Sequence, residues 1–213
     1  MKITRFSFNA FQELTYVLWD ETSGECAIID PGCYYRRECE VLDNFISNNK
    51  LTVKHLLLTH LHLDHYFGAP YLSRTYGVPV SASQADDFLL NLMPMQADMY
   101  GTPLPEAPIA TGCYLQEGDT IYVGNEPIEV LHVPGHSKGS LAYYLPQSGC
   151  VFCGDALFEG SIGRTDLPGG DYEELLNAVR TRLFTLPADT VAYPGHGGDT
   201  TIGEEMRSNP FFQ

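Results

Sequence analysis

The run Thr59-His60-Leu61-His62-Leu63-Asp64-His65 sets three imidazoles and a carboxylate almost side by side, directly after the apolar stretch Leu56-Leu57-Leu58. Histidine is the commonest neutral nitrogen ligand for zinc, and aspartate adds an anionic oxygen that balances a cation's charge. The chain holds only seven histidines. Such a concentration of ligand types at the end of a strand-like segment points to a metal site.

The elements that must position these groups follow from the pattern. Strands are predicted over Ile3–Phe8, Leu14–Trp19, Cys26–Asp30 and Val53–Thr59, with a helix over Tyr35–Ser47 where Cys39, Leu42, Phe45 and Ile46 recur at helical spacing. A helix over Tyr66–Tyr76, a strand over Pro79–Ala82 and a helix from Gln84 toward Leu92 come next, and the Pro- and Met-rich stretch Met93–Thr111 reads as irregular. The second half repeats the alternation: strands over Thr120–Val123, Ile128–Val133, Leu141–Leu145, Cys150–Cys153 and Thr190–Tyr193, and helices over Tyr172–Leu183 and Thr201–Arg207. Two similar halves of this kind predict an α/β (α+β) chain, a four-layer αββα sandwich with two mixed sheets inside and helices outside.

Three strands end in a Pro-Gly corner: Asp30-Pro31-Gly32, Val133-Pro134-Gly135-His136 and Tyr193-Pro194-Gly195-His196. A fourth ends in Cys153-Gly154-Asp155. Proline stops the ladder and glycine permits a tight path beyond it, so the next side chain projects from the sheet edge. The candidate ligands are therefore His60, His62, Asp64, His65, His136, Asp155 and His196. Seven exceed one tetrahedral zinc site but suit two ions sharing a carboxylate. His60 and His62 share parity, and His136 could complete their set; Asp64 and His65 lie on the other side of the turn, and His196 could complete theirs. Asp155, with two oxygens, is the natural bridge. Asp64 and Asp155 are thus candidate catalytic residues as well as ligands.

Other groups have two readings each. Asp30 could accept a hydrogen bond from a ligand imidazole or simply form its turn. His55 and His132 fit satisfied core or supporting histidines better than ligands. Arg164 and Lys138 are the basic groups nearest the cluster in sequence; Arg164 could hold a substrate carboxylate or pair with Asp166. Met93–Pro108 could be an apolar lid or an ordinary surface excursion. Cys150-Val151-Phe152-Cys153 spells a Cys-x-x-Cys pair, but residues three apart on a strand face opposite ways, which favours buried hydrophobes.

Composition narrows the partners. The formal charge is −15 with twelve basic residues, scattered along the chain, a balance that disfavours nucleic acid and anionic membrane. No apolar run approaches the ~20 residues of a bilayer span, and Met1–Phe6 turns polar too early for a signal peptide. A cytoplasmic protein acting on a small molecule is expected; oligomeric state is not encoded in any motif.

The ordered set His60-x-His62-x-Asp64-His65, Gly135-His136, Gly154-Asp155 and Gly195-His196 resembles the metallo-β-lactamase superfamily across nearly the whole chain. Pro134-Gly135-His136-Ser137-Lys138-Gly139-Ser140 and Gly154-Asp155-Ala156-Leu157-Phe158 look like its glyoxalase II branch, nearest the short bacterial hydroxyacylglutathione hydrolase-like members. The resemblance implies one ion on His60, His62 and His136, a second on Asp64, His65 and His196, and Asp155 between them. The ions would be zinc first, with iron or manganese as alternatives. It further implies hydrolysis of a thioester of the S-lactoylglutathione type by a metal-bridging hydroxide. Only residues 197–213 follow His196, so one domain over 1–213 is expected, without the branch's C-terminal helical domain that helps bind glutathione. Gly163-Arg164-Thr165-Asp166 also resembles the persulfide dioxygenases, which use one iron on the counterparts of His60, His136 and Asp155; a lactonase is a further reading.

Overall fold

The computed structural model describes residues 1–213. Fourteen strands and six α-helices follow in chain order: β1 Lys2–Phe8, β2 Glu13–Trp19, β3 Glu25–Ile29, α1 Arg36–Asn48, β4 Thr52–Leu57, α2 Leu63–Tyr66, α3 Ala69–Tyr76, β5 Val80–Ala82, α4 Asp87–Tyr100, β6 Cys113–Tyr114 and β7 Thr120–Val123. After them come β8 Glu126–His132, β9 Leu141–Leu145, β10 Cys150–Gly154, β11 Leu157–Phe158, β12 Ser161–Ile162, α5 Tyr172–Ala178, β13 Val191–Pro194, β14 Thr200–Thr201 and α6 Ile202–Ser208. One six-stranded sheet runs β1-β2-β3-β4-β5-β6 and the other β14-β13-β10-β9-β8-β7; β11 and β12 form a small hairpin. Both large sheets mix parallel and antiparallel pairs.

Strand alternation builds the layers. Tyr16, Leu18, Ala27 and Ile29 point inward and meet Val130, Tyr143 and Phe152 of the other sheet. Their neighbours Val17, Cys26 and Ile28 point outward onto Leu42 and Ile46 of α1 and Leu72 of α3. On the far side Val133, Val151 and Ala192 pack on Leu175 and Leu176 of α5 and Ile202 of α6. This is the αββα sandwich that the sequence predicts. Cys150 belongs to the inter-sheet core and Cys153 to the helix-covered face, so the Cys-x-x-Cys spacing carries two buried hydrophobes on opposite faces.

Three local expectations need correction. The segment read as irregular from Met93 is helical to Tyr100: Leu89, Met93, Gln96 and Ala97 bury one face of α4, while Pro94 lies on the exposed face. Periodic burial outweighs the hydrogen bond that proline forfeits, and Gly101 at φ 63° ends the helix. The helix expected over Tyr66–Tyr76 is two: α2 already starts at Leu63, and the chain breaks at Gly68 before α3. Asp64 and His65 thus sit on a helical turn rather than on a loop. The two-residue strands β6, β11, β12 and β14 are too short to show a period of two, and α5 continues into a π-helical stretch, Val179–Leu183.

Candidate metal centre

All seven candidate ligands converge at one edge of the sandwich. His60 follows β4, His62 caps α2, and Asp64 and His65 lie within it. His136, Asp155 and His196 follow β8, β10 and β13. Donor atoms of His60, His62 and His136 all lie within 4.8 Å of one another, and so do those of Asp64, His65 and His196. In the first set His62 Nδ1 and His60 Nε2 stand 2.9 and 3.2 Å from His136 Nε2. In the second, Asp64 Oδ2 lies 3.1 Å from His196 Nε2 and 3.7 Å from His65 Nε2. Asp155 stands between them: its Oδ2 is 3.6 Å from His136 Nε2 and 3.7 Å from His196 Nε2, and its Oδ1 is 3.4 Å from His65 Nε2.

Glycines make that approach possible. A Cβ on Gly195 would fall 2.3 Å from Asp155 Oδ1 and 2.5 Å from His65 Cε1, and one on Gly163 would fall 1.8 Å from the Asp155 carbonyl oxygen. The turn at Gly135 adopts φ 122°, and a Cβ there would meet the backbone nitrogen of Leu175 at 2.2 Å.

Outside the cluster, the second ring nitrogens of four of the five histidines are tied down, while His62 Nε2 is buried with no partner. His65 Nδ1 faces Asp30 Oδ2 at 3.0 Å, His136 Nδ1 the Arg164 carbonyl at 2.7 Å, His196 Nδ1 the Phe11 carbonyl at 3.1 Å and His60 Nδ1 Thr59 Oγ1 at 3.1 Å. Such contacts fix ring orientation and tautomer. Asp86, fully buried, joins the loops from outside: its carboxylate accepts from the backbone of Leu61 and Gly139 and from the Ser137 hydroxyl.

The inner faces are different. His65 Nε2 and Asp155 Oδ1 are buried with no hydrogen-bond partner. Buried polar atoms are normally satisfied, so orphans aimed at a common centre need a partner of another kind. Burial and the other imidazoles hold His60 well below the usual histidine range and His62 at about 3, so both rings are neutral and free to donate a lone pair. Burial opposes ionisation of Asp155, but His65, His136 and His196 outweigh it and keep the carboxyl well below its ordinary range. Burial likewise opposes charge on His65, yet Asp155, Asp64 and Asp30 hold it well above. The neutral imidazoles of His60 and His62 beside ionised carboxylates form a donor set that fits divalent cations, and binding a cation would release the proton that the carboxylates favour on His65.

A cavity of about 400 Å³ opens over the cluster, walled by Phe11, Leu63, Gln96, Tyr100, Phe158 and Leu167. Arg164 also lines it, but its guanidinium is held by both oxygens of Asp166 at 2.7 and 2.8 Å. Lys138 is not brought to the site: its ammonium lies 5.7 Å over the Phe88 ring. Nor is His132, whose Nε2 meets the Lys138 carbonyl at 2.9 Å because the last residue of β8 points away from the edge where His136 turns in. His55 Nε2 likewise faces the Tyr122 carbonyl at 3.0 Å. Of the supposed lid, Tyr100 lines the cavity, Met93 packs in the core, and Met95 and Met99 face solvent.

Sequence reasoning missed Phe11, Gln96, Phe158 and Leu167 as cavity wall. Only Gln96 left a signal, as the one polar side chain on the buried face of α4. It also missed Glu13, buried on β2, whose carboxyl burial raises well above the ordinary range, and which fills the space a side chain on Gly32 would take.

Known proteins are similar to this chain over its whole length. Hydroxyacylglutathione hydrolase GloC of Haemophilus influenzae is 41% identical over 99% of this chain and 98% of its own length. The crystal structure of BLEG-1 B3 metallo-beta-lactamase superposes with a TM-score of 0.90 at 33% identity, covering 100% of both chains. TTHA1623, solved in a di-iron-bound form, gives 0.86 at 36% identity over 98% of this chain and 99% of its own. The Metallo-beta-lactamase superfamily profile matches residues 9–196. Because that span runs from the turn before β2 through the last convergent histidine and carries all seven candidate ligands, the chain belongs to the metallo-beta-lactamase superfamily.

Proposed function

We propose that this chain is a binuclear metal-dependent thioesterase acting on hydroxyacyl thioesters of the S-lactoylglutathione type. The observation that carries the reading is the position of Asp155, whose Oδ2 stands at almost equal distance from a histidine of each three-residue set. A carboxylate so placed can serve two ions at once, with His60, His62 and His136 holding one and Asp64, His65 and His196 the other. When bound, such a pair supplies an ionised water near neutral pH and Lewis acidity toward a carbonyl. The 41% identity to a hydroxyacylglutathione hydrolase over the full chain supports the choice of substrate.

The chain's own residues do the remaining work. Asp30, the Arg164 carbonyl and the Phe11 carbonyl hold His65, His136 and His196 in register. Asp64 and Asp155 would present ionised carboxylate oxygens beside the reacting water, where they can accept its hydrogen bonds and orient it. Phe11, Leu63, Phe158 and Leu167 surround the acyl group with apolar surface and limit bulk water. No nucleophilic serine or cysteine lines the cavity, so the acyl group passes to water without a covalent enzyme intermediate.

The test is a panel of thioesters and lactones run beside elemental analysis of protein purified without added metal. Oxygen-independent thiol release from S-lactoylglutathione, with two metal ions per chain, is the expected result. One iron per chain with oxygen consumed on a persulfide would overturn it in favour of a dioxygenase, and turnover of lactones alone would make the chain a lactonase.

A further inference from the structure

Away from the metal centre, two cysteines that the hydrolytic chemistry does not use face each other. Cys33 lies on the strap that follows the Asp30-Pro31-Gly32 corner, and Cys39 in the first turn of α1; their sulfurs are 3.5 Å apart. Cys33 is buried, whereas Cys39 is partly exposed. Both line a groove of about 460 Å³ with Tyr34, Phe67 and Tyr71, which gives a small oxidant a way in.

We propose that Cys33 and Cys39 form a peroxide-sensitive dithiol that closes reversibly to an intramolecular disulfide. The bonded separation is about 2.05 Å, so an approach of about 1.5 Å remains. Cys39 makes that movement. Cys33 Sγ is wedged where a Cβ on Gly68 would come within 2.3 Å of it, while Cys39 sits on a helix surface open to the groove. The order of reaction follows from the same asymmetry. The close Sγ–Sγ contact with Cys33 holds the Cys39 thiol below its usual range, and the same contact, with burial, pushes Cys33 well above. Cys39, open to the groove, is therefore the thiol that peroxide meets first and the one with the greater thiolate fraction of the two.

In the first step the Cys39 sulfur attacks one peroxide oxygen, the O–O bond breaks, and Cys39 sulfenic acid and water result. In the second, Cys33 sulfur attacks the Cys39 sulfur, the S–O bond breaks, and the hydroxyl leaves as water with the Cys33 proton. Two thiols and one hydrogen peroxide thus give one disulfide and two waters. The other cysteines provide internal references: burial raises Cys26, Cys150 and Cys153 to about 12, and Cys113 is exposed but has no thiol partner.

The experiment treats the full-length metal-loaded protein with graded hydrogen peroxide, alkylates the remaining thiols and maps them by tryptic mass spectrometry. Cleavage at Arg36 and Arg37 puts the two cysteines on separate peptides. The expected result is equal loss of alkylation at Cys33 and Cys39, a cross-linked peptide pair lighter by two hydrogens, and full recovery with dithiothreitol. Cys33→Ser should abolish the cross-link and leave a dimedone-reactive sulfenic acid at Cys39; where that variant folds poorly, Cys39→Ser should leave Cys33 fully alkylatable. Retention of both thiols at doses that oxidise Cys113, direct passage of Cys39 to sulfinic acid in the unaltered chain, or a cross-link that survives Cys33→Ser through Cys26 would each overturn the proposal.

Discussion

Asp30 Oδ2 lies 3.0 Å from His65 Nδ1 and also accepts the Thr59 hydroxyl at 2.6 Å, while its Oδ1 accepts the Thr59 backbone N–H at 2.6 Å. One carboxylate at the end of β3 therefore fixes both the exit of β4 and the helical turn that carries two candidate ligands. Asp30 does this with φ 48°, a left-handed backbone that a non-glycine residue holds only under constraint. The hydrogen bonds to Thr59 and His65 are that constraint.

Replacing Asp30 with Asn keeps the size but turns an acceptor into a donor facing His65. Metal affinity is expected to fall about 10- to 100-fold, the usual cost of losing a partner behind a ligand histidine. A competition titration against a chelator, with circular dichroism to confirm the fold, checks this.

Chelation should lower the melting temperature, and zinc, manganese or iron should restore it, because a ligand bound only by the folded chain stabilises it, by about 2.7 kcal/mol at a hundredfold excess over Kd. In Asp155→Ala the metal-dependent rise should be lost and turnover abolished, while the chelated protein still unfolds cooperatively. His60→Ala should behave alike. Thermal scans with and without chelator report on both variants.

Gly195→Ala brings a methyl into the 2.3 Å approach to Asp155. The atoms it would meet are side-chain ends of two candidate ligands rather than backbone, so the expected loss is in metal affinity, about tenfold or more. Gly135→Ala differs, since it combines φ 122° with a clash against the α5 backbone. It should cost about 3 kcal/mol of stability or more, read by urea unfolding.

Gln96 presents a buried amide oxygen with no partner while lining the cavity. Gln96→Leu removes that unsatisfied group, so stability should rise by about 1 kcal/mol. If the amide meets a polar part of the thioester, KM should rise about tenfold with kcat little changed. Steady-state kinetics with S-lactoylglutathione and a thermal scan measure both effects.

The layered fold was legible because its cause is local. Alternation along β2 and β3 sends Tyr16, Leu18, Ala27 and Ile29 to one face and Val17, Cys26 and Ile28 to the other, and any sheet built on that pattern must be covered on both sides. Helix α4 was read too short because Pro94 is a strong local signal, while the burial that overrides it arises only against α2 and its neighbours.

For the site, the sequence by itself determined the donor inventory. Imidazole and carboxylate chemistry belongs to residue type, and the His-x-His-x-Asp-His run and the Pro-Gly-His corners place candidate ligands at strand ends without help from the rest of the chain. Tertiary structure alone decided which groups stand behind them and which wall the cavity. Asp30, Phe11, Gln96 and Arg164 come from four separate stretches, and Lys138, two positions after His136 in sequence, faces away. Sequence proximity fixes a residue's strand or turn, but the direction of its side chain depends on how two sheets pack, and that is a property of the whole sandwich.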